Sequence, residues 1–344
     1  MGNIGMPRRR LLGAALGVAT LCLASPLQAA ERYVTDMAGR RVRLPGRIER
    51  IASAGGSPAV NAFLFLFGQG ERIVTGLPAA FQTPMWRLQQ RFAPGLAERP
   101  VVSGPPPAWT PNLESLLALR PDLCFVVSET AAAQLERVGL AAIVLNWDKI
   151  DSVARTIGLL AEIFQMPRRA ADYVAWADAL LADVQRRIGQ PARRPRVLYL
   201  RYATLTQPII TPANHLIAQA GGDSVTARDN PLQLDSVRFS IEQVLVWQPD
   251  VLLLALGDER AQLLADARLS GVPAIRQRQV YSVPHGAHIW THYTPEHPLG
   301  VLWLARLLYP ERFRDLDLAA ETARFYRRFF GATLSDAEIA GILH

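Results

Sequence analysis

The chain has 344 residues, half of them apolar, with 37 basic and 30 acidic side chains for a net charge of +7. That length exceeds what one hydrophobic core usually organises, so two domains of ordinary size are expected. The charge is too mild to argue for a nucleic-acid partner, and two cysteines cannot build a disulfide framework.

Residues 1–30 read as a signal peptide: Arg8, Arg9 and Arg10 precede an apolar run from Leu11 to about Ala24, and Pro26-Leu27-Gln28-Ala29-Ala30 supplies small residues for cleavage. An ordinary secretory route and a twin-arginine route both suit this leader. Cys22 follows Leu21 rather than a small residue, so no lipid anchor is expected and the mature chain should be soluble in the periplasm. Removing the three leader arginines from the 37 basic residues leaves 34 against 30 acidic ones, a net charge of +4. One thiol remains, Cys124, inside the apolar run Leu123-Cys124-Phe125-Val126-Val127, where it serves as a small buried hydrophobe.

From Glu31 onward short apolar runs alternate with helical patterns, the signature of an α/β fold with mostly parallel sheets. Strands are predicted at residues 50–52, 73–74, 123–127 and 142–145, then at 197–200, 251–255 and 280–283. Helices are predicted at residues 152–164 and 168–188. The second carries a 3.6-residue stripe of Tyr173, Trp176, Ala177, Leu180, Leu181, Val184 and Ile188, and stops at Gly189-Gln190-Pro191. Closing helices are predicted at residues 299–308 and 318–330.

An internal echo links the two halves. Asn112-Leu113-Glu114 opens a two-turn amphipathic stretch that ends at Pro121-Asp122 and a buried strand; Ser240-Ile241-Glu242 opens another that ends at Pro249-Asp250. Asn112 and Ser240 suit helix caps, and each glutamate lies in a first turn, where the dipole favours negative charge. A purely structural role explains the motif as well as a functional one does.

Together with Asp36-Met37-Ala38-Gly39-Arg40 and Glu49-Arg50-Ile51, this doubled motif resembles the class III periplasmic binding proteins, which serve ABC importers of ferric siderophores, haem and cobalamin. The resemblance spans nearly the whole mature chain. It implies two Rossmann-like lobes, residues 31–167 and 191–344, joined by a stiff connecting helix over residues 168–190, with the ligand between them. It also implies that Glu114 and Glu242 dock onto arginines of a membrane permease and, through it, reach an ATPase. The chain is expected to act as a monomer, to hold no cofactor of its own and not to be an enzyme. It departs from many relatives at Ser53-Ala54-Gly55-Gly56-Ser57-Pro58.

In such folds ligands meet the loops that follow strand C-termini. The glycine-bearing turn Gly55, Gly56 and Ser57 offers amides to an anion, or else merely needs backbone freedom. Trp86 and Trp109, with Trp147 beside them, offer flat faces to a porphyrin, corrin or catecholate. Arg201, Tyr202 and Arg238 offer donors to anionic groups. His285, His288 and His292 are the candidate metal ligands, His288 and Trp290 of the same segment are candidate ligand contacts, and a helix would place His288 and His292 on one face. All six histidines lie at or beyond His215, which disfavours a naked zinc site shared by both lobes.

The leading expectation is a receptor for a metal chelate of the iron–siderophore, haem or corrinoid type. The alternative on the same fold is a molybdate or tungstate receptor built on the Gly55-Gly56-Ser57 amides. A periplasmic hydrolase finds little support, because the chain has no Gly-x-Ser-x-Gly elbow, P-loop or His-Glu-x-x-His sequence.

Overall fold

A computed structural model describes residues 1–2, 31–105, 109–147, 151–208, 210–227 and 236–343. All but the first two residues of the expected leader lie outside the described residues.

The opening strands β1 (Tyr33–Thr35) and β2 (Arg41–Arg43) form an antiparallel hairpin with Val34 opposite Val42. Buried Asp36 explains the turn between them. Its carboxylate accepts from the amides of Ala38 and Arg40 at 3.1 and 2.9 Å and from the amide of Val144 at 3.0 Å, while Arg40 adds its guanidinium. The Asp-Met-Ala-Gly-Arg segment is thus a staple between the hairpin and the first sheet.

That sheet contains β3 (Ile51–Ala54), β4 (Leu123–Val126) and β5 (Ala142–Val144), parallel and in that order, with Ile51 opposite Leu123 and Cys124 opposite Ala142. Between and around these strands run α1 (Ser57–Leu66), α2 (Gln89–Phe92), α3 (Leu113–Leu119) and α4 (Glu129–Arg137). The strand predicted at residues 73–74 is only a bridge from Ile73 to Ile51, because the Thr75 hydroxyl takes the next bond, accepting from the Ser53 amide at 3.0 Å. A side chain finishes that sheet edge in place of backbone.

Two helices, α5 (Ser152–Phe164) and α6 (Pro167–Ile188), lead to the second sheet. Proline at the first turn of α6 loses no internal bond, and Tyr173, Ala177, Val184 and Ile188 form its buried stripe. The second half contributes β6 (Arg196–Leu200), β7 (Thr206–Pro208), α7 (Ile210–Gln219), β8 (Asp223–Ser224), β9 (Ser236–Arg238), α8 (Ile241–Trp247), β10 (Val251–Leu254), α9 (Arg260–Ala265), α10 (Pro273–Arg276) and β11 (Val280–Ser282). Its sheet is parallel in the order β11-β10-β6-β8, and β7 pairs antiparallel with β9.

The chain closes with α11 (His297–Leu308), α12 (Leu318–Phe325) and α13 (Asp336–Leu343). Helix α11 begins two residues earlier than predicted, since Pro298 fits its first turn. The helix predicted through Phe330 changes pitch after Phe325: Tyr326–Phe330 is a π turn, and the Tyr326 hydroxyl reaches a buried carboxylate, Glu296.

One apolar cluster runs from Ile51 and Phe125 through Tyr173, Val184 and Phe329 to Val197, Leu253 and Trp303. Residues Glu31–His344 accordingly form one compact unit. The sheets lie on either side of α6 in the chain, and on that basis we propose a division into lobes at this helix. Cys124 is fully buried, and burial pushes its thiol up to about 12. Among the described residues no helix is long and apolar enough to cross a membrane.

Candidate functional site

Strands of both sheets end toward loops that carry most of the residues singled out in the sequence. After β3 the chain turns through Gly55 at φ 102° and Gly56 at φ 57°, conformations that L side chains rarely adopt. Space also requires glycine here. A Cβ on Gly55 would sit 3.0 Å from the Trp109 Cβ, and one on Gly56 would sit 3.1 Å from a Val127 methyl. Gly56 is the N-cap of α1 and supplies no side-chain cap. The Ser57 hydroxyl turns back to the Ser53 carbonyl at 3.2 Å. Among the described residues no partner is recorded for the amides of Gly55, Gly56 and Ser57, so these donors and the positive end of α1 are left for an acceptor.

Two aromatic rings, Trp109 and Trp147, border this turn. Trp109, itself at φ 46°, is stacked on Phe81 with centroids 5.6 Å apart. Trp147 is stacked on Phe63 at 5.8 Å, and its buried Nε1 has no hydrogen-bond partner among the described residues. From Trp109 the arc continues: Phe81 meets Trp86 at 4.9 Å, and Trp86 meets His285 at 4.4 Å and His288 at 5.1 Å, edge to face. His288 then meets His292 at 4.5 Å. The arc therefore runs from the loop of the first sheet to the loop of the second, bringing Trp109, Trp86, His285, His288 and His292 together. Phe81 carries no signal in the sequence, because its role as the central plate depends on two partners distant in the chain.

Residues 285–296 are not helical, so His288 and His292 come together through a folded loop and not along a helix face. The loop is held by Glu296, fully buried. Its carboxyl accepts from the amides of Ala287 and His288, each at 2.8 Å, and from the Tyr326 hydroxyl. A Cβ on Gly286 would collide with that hydroxyl and that carboxyl, so only glycine fits. Burial raises the Glu296 carboxyl to about 7. Burial likewise drives His285 down to about 3 and His288 to about 4, and holds His292 well below the ordinary imidazole range. These rings are neutral near pH 7, offering N–H donors and lone pairs but no charge. Both His285 nitrogens are buried without a partner among the described residues.

Candidate metal ligation by His285, His288 and His292 finds no geometric support: among the described residues no group of three or more His, Cys, Asp or Glu side chains is arranged to hold a metal ion. Trp290 is fully buried in the main core, so its ring has no face open to a ligand. Tyr202 is buried as well. Its hydroxyl is bonded to Asp266 at 2.6 Å and its amide to Glu259 at 2.7 Å, which turns it into the second half's own packing. Arg201 and Arg238 are both exposed, and both pair with Thr206, Arg201 through a backbone bridge and Arg238 through the β7–β9 ladder. They thus stand on neighbouring rungs beyond the end of β6. Glu114 and Glu242 are exposed in the first turns of α3 and α8, capped by Asn112 and Ser240 as predicted.

A cavity of about 620 Å³ opens beside the arc, lined by Met85, Arg87 and Leu88 from the first half and by Ser282, Val283 and His285 from the end of β11. Gln89, buried and unremarkable in the sequence, joins the two sides by hydrogen bonds to Pro58 and Ala287.

Comparison with known proteins agrees with this architecture. The periplasmic binding protein family matches over residues 89–286, more than half of the chain. The molybdate-binding protein MolA of Haemophilus influenzae is 27% identical over 343 residues, covering 90% of this chain and 94% of that protein. Its structure with molybdate superposes with a TM-score of 0.75 at 24% identity, over 89% of this chain and 99% of that one. A periplasmic solute-binding protein of Veillonella parvula gives a TM-score of 0.78 at 24% identity, over 91% and 96%. CeuE of Helicobacter pylori, solved as a Ni–His complex, gives 0.71 at 19% identity, over 91% and 99%. With parallel sheets on either side of a long helix and a match over more than half its length, the chain belongs to the periplasmic binding protein family and has the class III fold.

Proposed function

We propose that the protein is the ligand-capturing component of an ABC importer and that its ligand is a tetrahedral oxyanion of the molybdate or tungstate type. The observation that carries this reading is the turn at Gly55, Gly56 and Ser57, whose amides have no partner among the described residues and which opens the ten-residue helix α1. An oxyanion accepts such donors without needing a full counter-charge. The ring of Trp147, whose indole N–H has no partner among the described residues, lies beside the same turn. The name of the Haemophilus relative supports the same class of ligand. The oxyanion thereby takes precedence over the metal chelate that leads the reading of the sequence alone. Capture of an organic substrate for hydrolysis is not proposed, since the family is one of binding proteins.

The chelate remains the second reading because the stacked, half-buried rings of Trp109 and Phe81 offer surface that a small anion does not use. Thermal melts of the mature chain with molybdate, tungstate and sulfate, alongside native mass spectrometry of freshly purified protein, separate the two. A rise in Tm with molybdate and tungstate but not sulfate supports the oxyanion. A co-purified organic chelator with no response to either oxyanion overturns it in favour of the chelate.

A further inference from the structure

We infer that Gln89 is a latch that holds the loop at residues 55–57 and the loop at residues 285–288 in one register, whether or not ligand is present. The Gln89 side chain is fully buried and all of its bonding capacity toward the two loops is engaged. Its Nε2 donates to the Pro58 carbonyl at 2.9 Å and to the Ala287 carbonyl at 2.6 Å, and its Oε1 accepts from Asn61 Nδ2 at 2.9 Å. Exchanging the amide's oxygen and nitrogen would face an oxygen against two carbonyl oxygens, so the network admits one orientation only.

Pro58 and Asn61 lie in the first turns of α1, directly after the glycine turn, whereas Ala287 lies 198 residues away from Gln89 in the other half. Ala287 is gripped from both sides: Gln89 holds its carbonyl and Glu296 holds its amide at 2.8 Å. Trp86, three residues before Gln89, rests on His285 and His288 of the same loop. A buried Gln–Asn pair adds nothing to packing that methionine and leucine would not supply, and buried amides are costly unless satisfied. What the pair adds is direction, since hydrogen bonds tie two loops at a fixed offset where apolar contacts would let them slide.

The functional consequence rests on the proposed ligand site, but the latch itself is testable without ligand. Leu117 on α3 and Val246 on α8 are 45% and 71% exposed and serve as label sites, replaced by cysteine in the mature chain. Nitroxide distance distributions are then recorded for ligand-free protein with Gln89 and with Gln89→Met. We expect one narrow distance with Gln89 and an added, displaced population in Gln89→Met, together with faster amide exchange at residues 285–288. Identical distributions and unchanged exchange would overturn the latch. Should Gln89→Met fail to fold, Gln89→Leu removes the same two donors to the Pro58 and Ala287 carbonyls with a shorter apolar side chain, and the same two outcomes apply.

With molybdate as probe, Gln89→Met should dissociate about five- to tenfold faster, the scale of one neutral hydrogen bond, with little change in association. An unchanged dissociation rate would deny the latch a role in binding. If the parent chain binds no molybdate, the oxyanion reading fails while the distance measurement still decides the latch.

Discussion

Asp122 and Asp250 occupy equivalent places in the two halves, each turning one carboxylate oxygen onto the first amides of the neighbouring strand. Asp122 accepts from Arg50 at 2.8 Å and from Glu49 at 2.7 Å, and Asp250 accepts from Arg196 at 2.7 Å. Each aspartate's own amide returns a bond to the carbonyl of the same residue, Arg50 or Arg196, at 2.8 Å. The residues before them end their helices in the same way, Arg120 at φ 46° and Gln248 at φ 43°. The doubled Pro-Asp motif is therefore a device that aligns a helix exit with the start of the strand alongside.

Replacing Asp122 or Asp250 by alanine should lower stability by about 1–3 kcal/mol, the scale of charge-assisted bonds to backbone amides. Urea denaturation would show a lower midpoint with an unchanged slope. Ligand affinity should hold, because both carboxylates lie at the opposite strand ends from the candidate site.

The glycine turn is tested by Gly56→Ala set against Gly39→Ala. Both positions have positive φ, 57° and 80°, so both variants share a backbone penalty of about 1 kcal/mol. Only Gly56 faces a neighbour, Val127 at 3.1 Å, while Gly39 has open space. Affinity for the oxyanion should drop at least about tenfold in Gly56→Ala and stay level in Gly39→Ala, as read by calorimetric titration. Equal affinities would remove the turn from the site.

Acid should destabilise the fold. Burial holds His285, His288 and His297 at about 3, 4 and 3, so below the ordinary imidazole range the unfolded chain takes up protons that the folded chain refuses. Their contribution is complete above about pH 6.5 and is lost as pH falls. Glu296, raised to about 7, acts the other way: its folded form keeps a proton that the unfolded form releases, so its contribution is lost as pH rises toward 7. One carboxyl does not offset several imidazoles, and Tm should fall by about 5 °C or more between pH 7 and pH 5. His285→Phe removes one titrating ring whose nitrogens make no bond among the described residues and keeps a plate against Trp86, so it should flatten the slope.

If Glu114 and Glu242 dock onto a permease, as the family resemblance implies, the double variant Glu114→Arg, Glu242→Arg should abolish uptake in vesicles carrying that permease while leaving ligand affinity within about twofold. The two glutamates are exposed, and each lies on a helix that also exposes a large apolar side chain, Leu117 or Val246. Val246→Asp should weaken transport partially, as expected for a contact beside a charged anchor. Uptake unaffected by the double reversal would leave the glutamates only their place in the first turn, where the helix dipole favours negative charge.

What could be read from the sequence was what is encoded locally. Caps, proline stops and a 3.6-residue stripe act over a few residues, so α3, α8 and α6 and the buried strands at residues 123–126 and 251–254 were legible as such. Strands such as β7 and β9, three residues each, hold too few side chains to show a period, and they exist only because each has the other to pair with. The family resemblance pointed to the loops of the candidate site, yet composition could not separate Trp109 at the turn from Trp290 in the core. Gln89, Phe81 and Glu296 acquire their roles from partners brought together by folding, Ala287 for both Gln89 and Glu296 and the rings of Trp86 and Trp109 for Phe81. A side chain's chemistry is written in the sequence, but whether it meets water, a ligand or another side chain depends on which distant residues the two sheets and their shared core bring beside it.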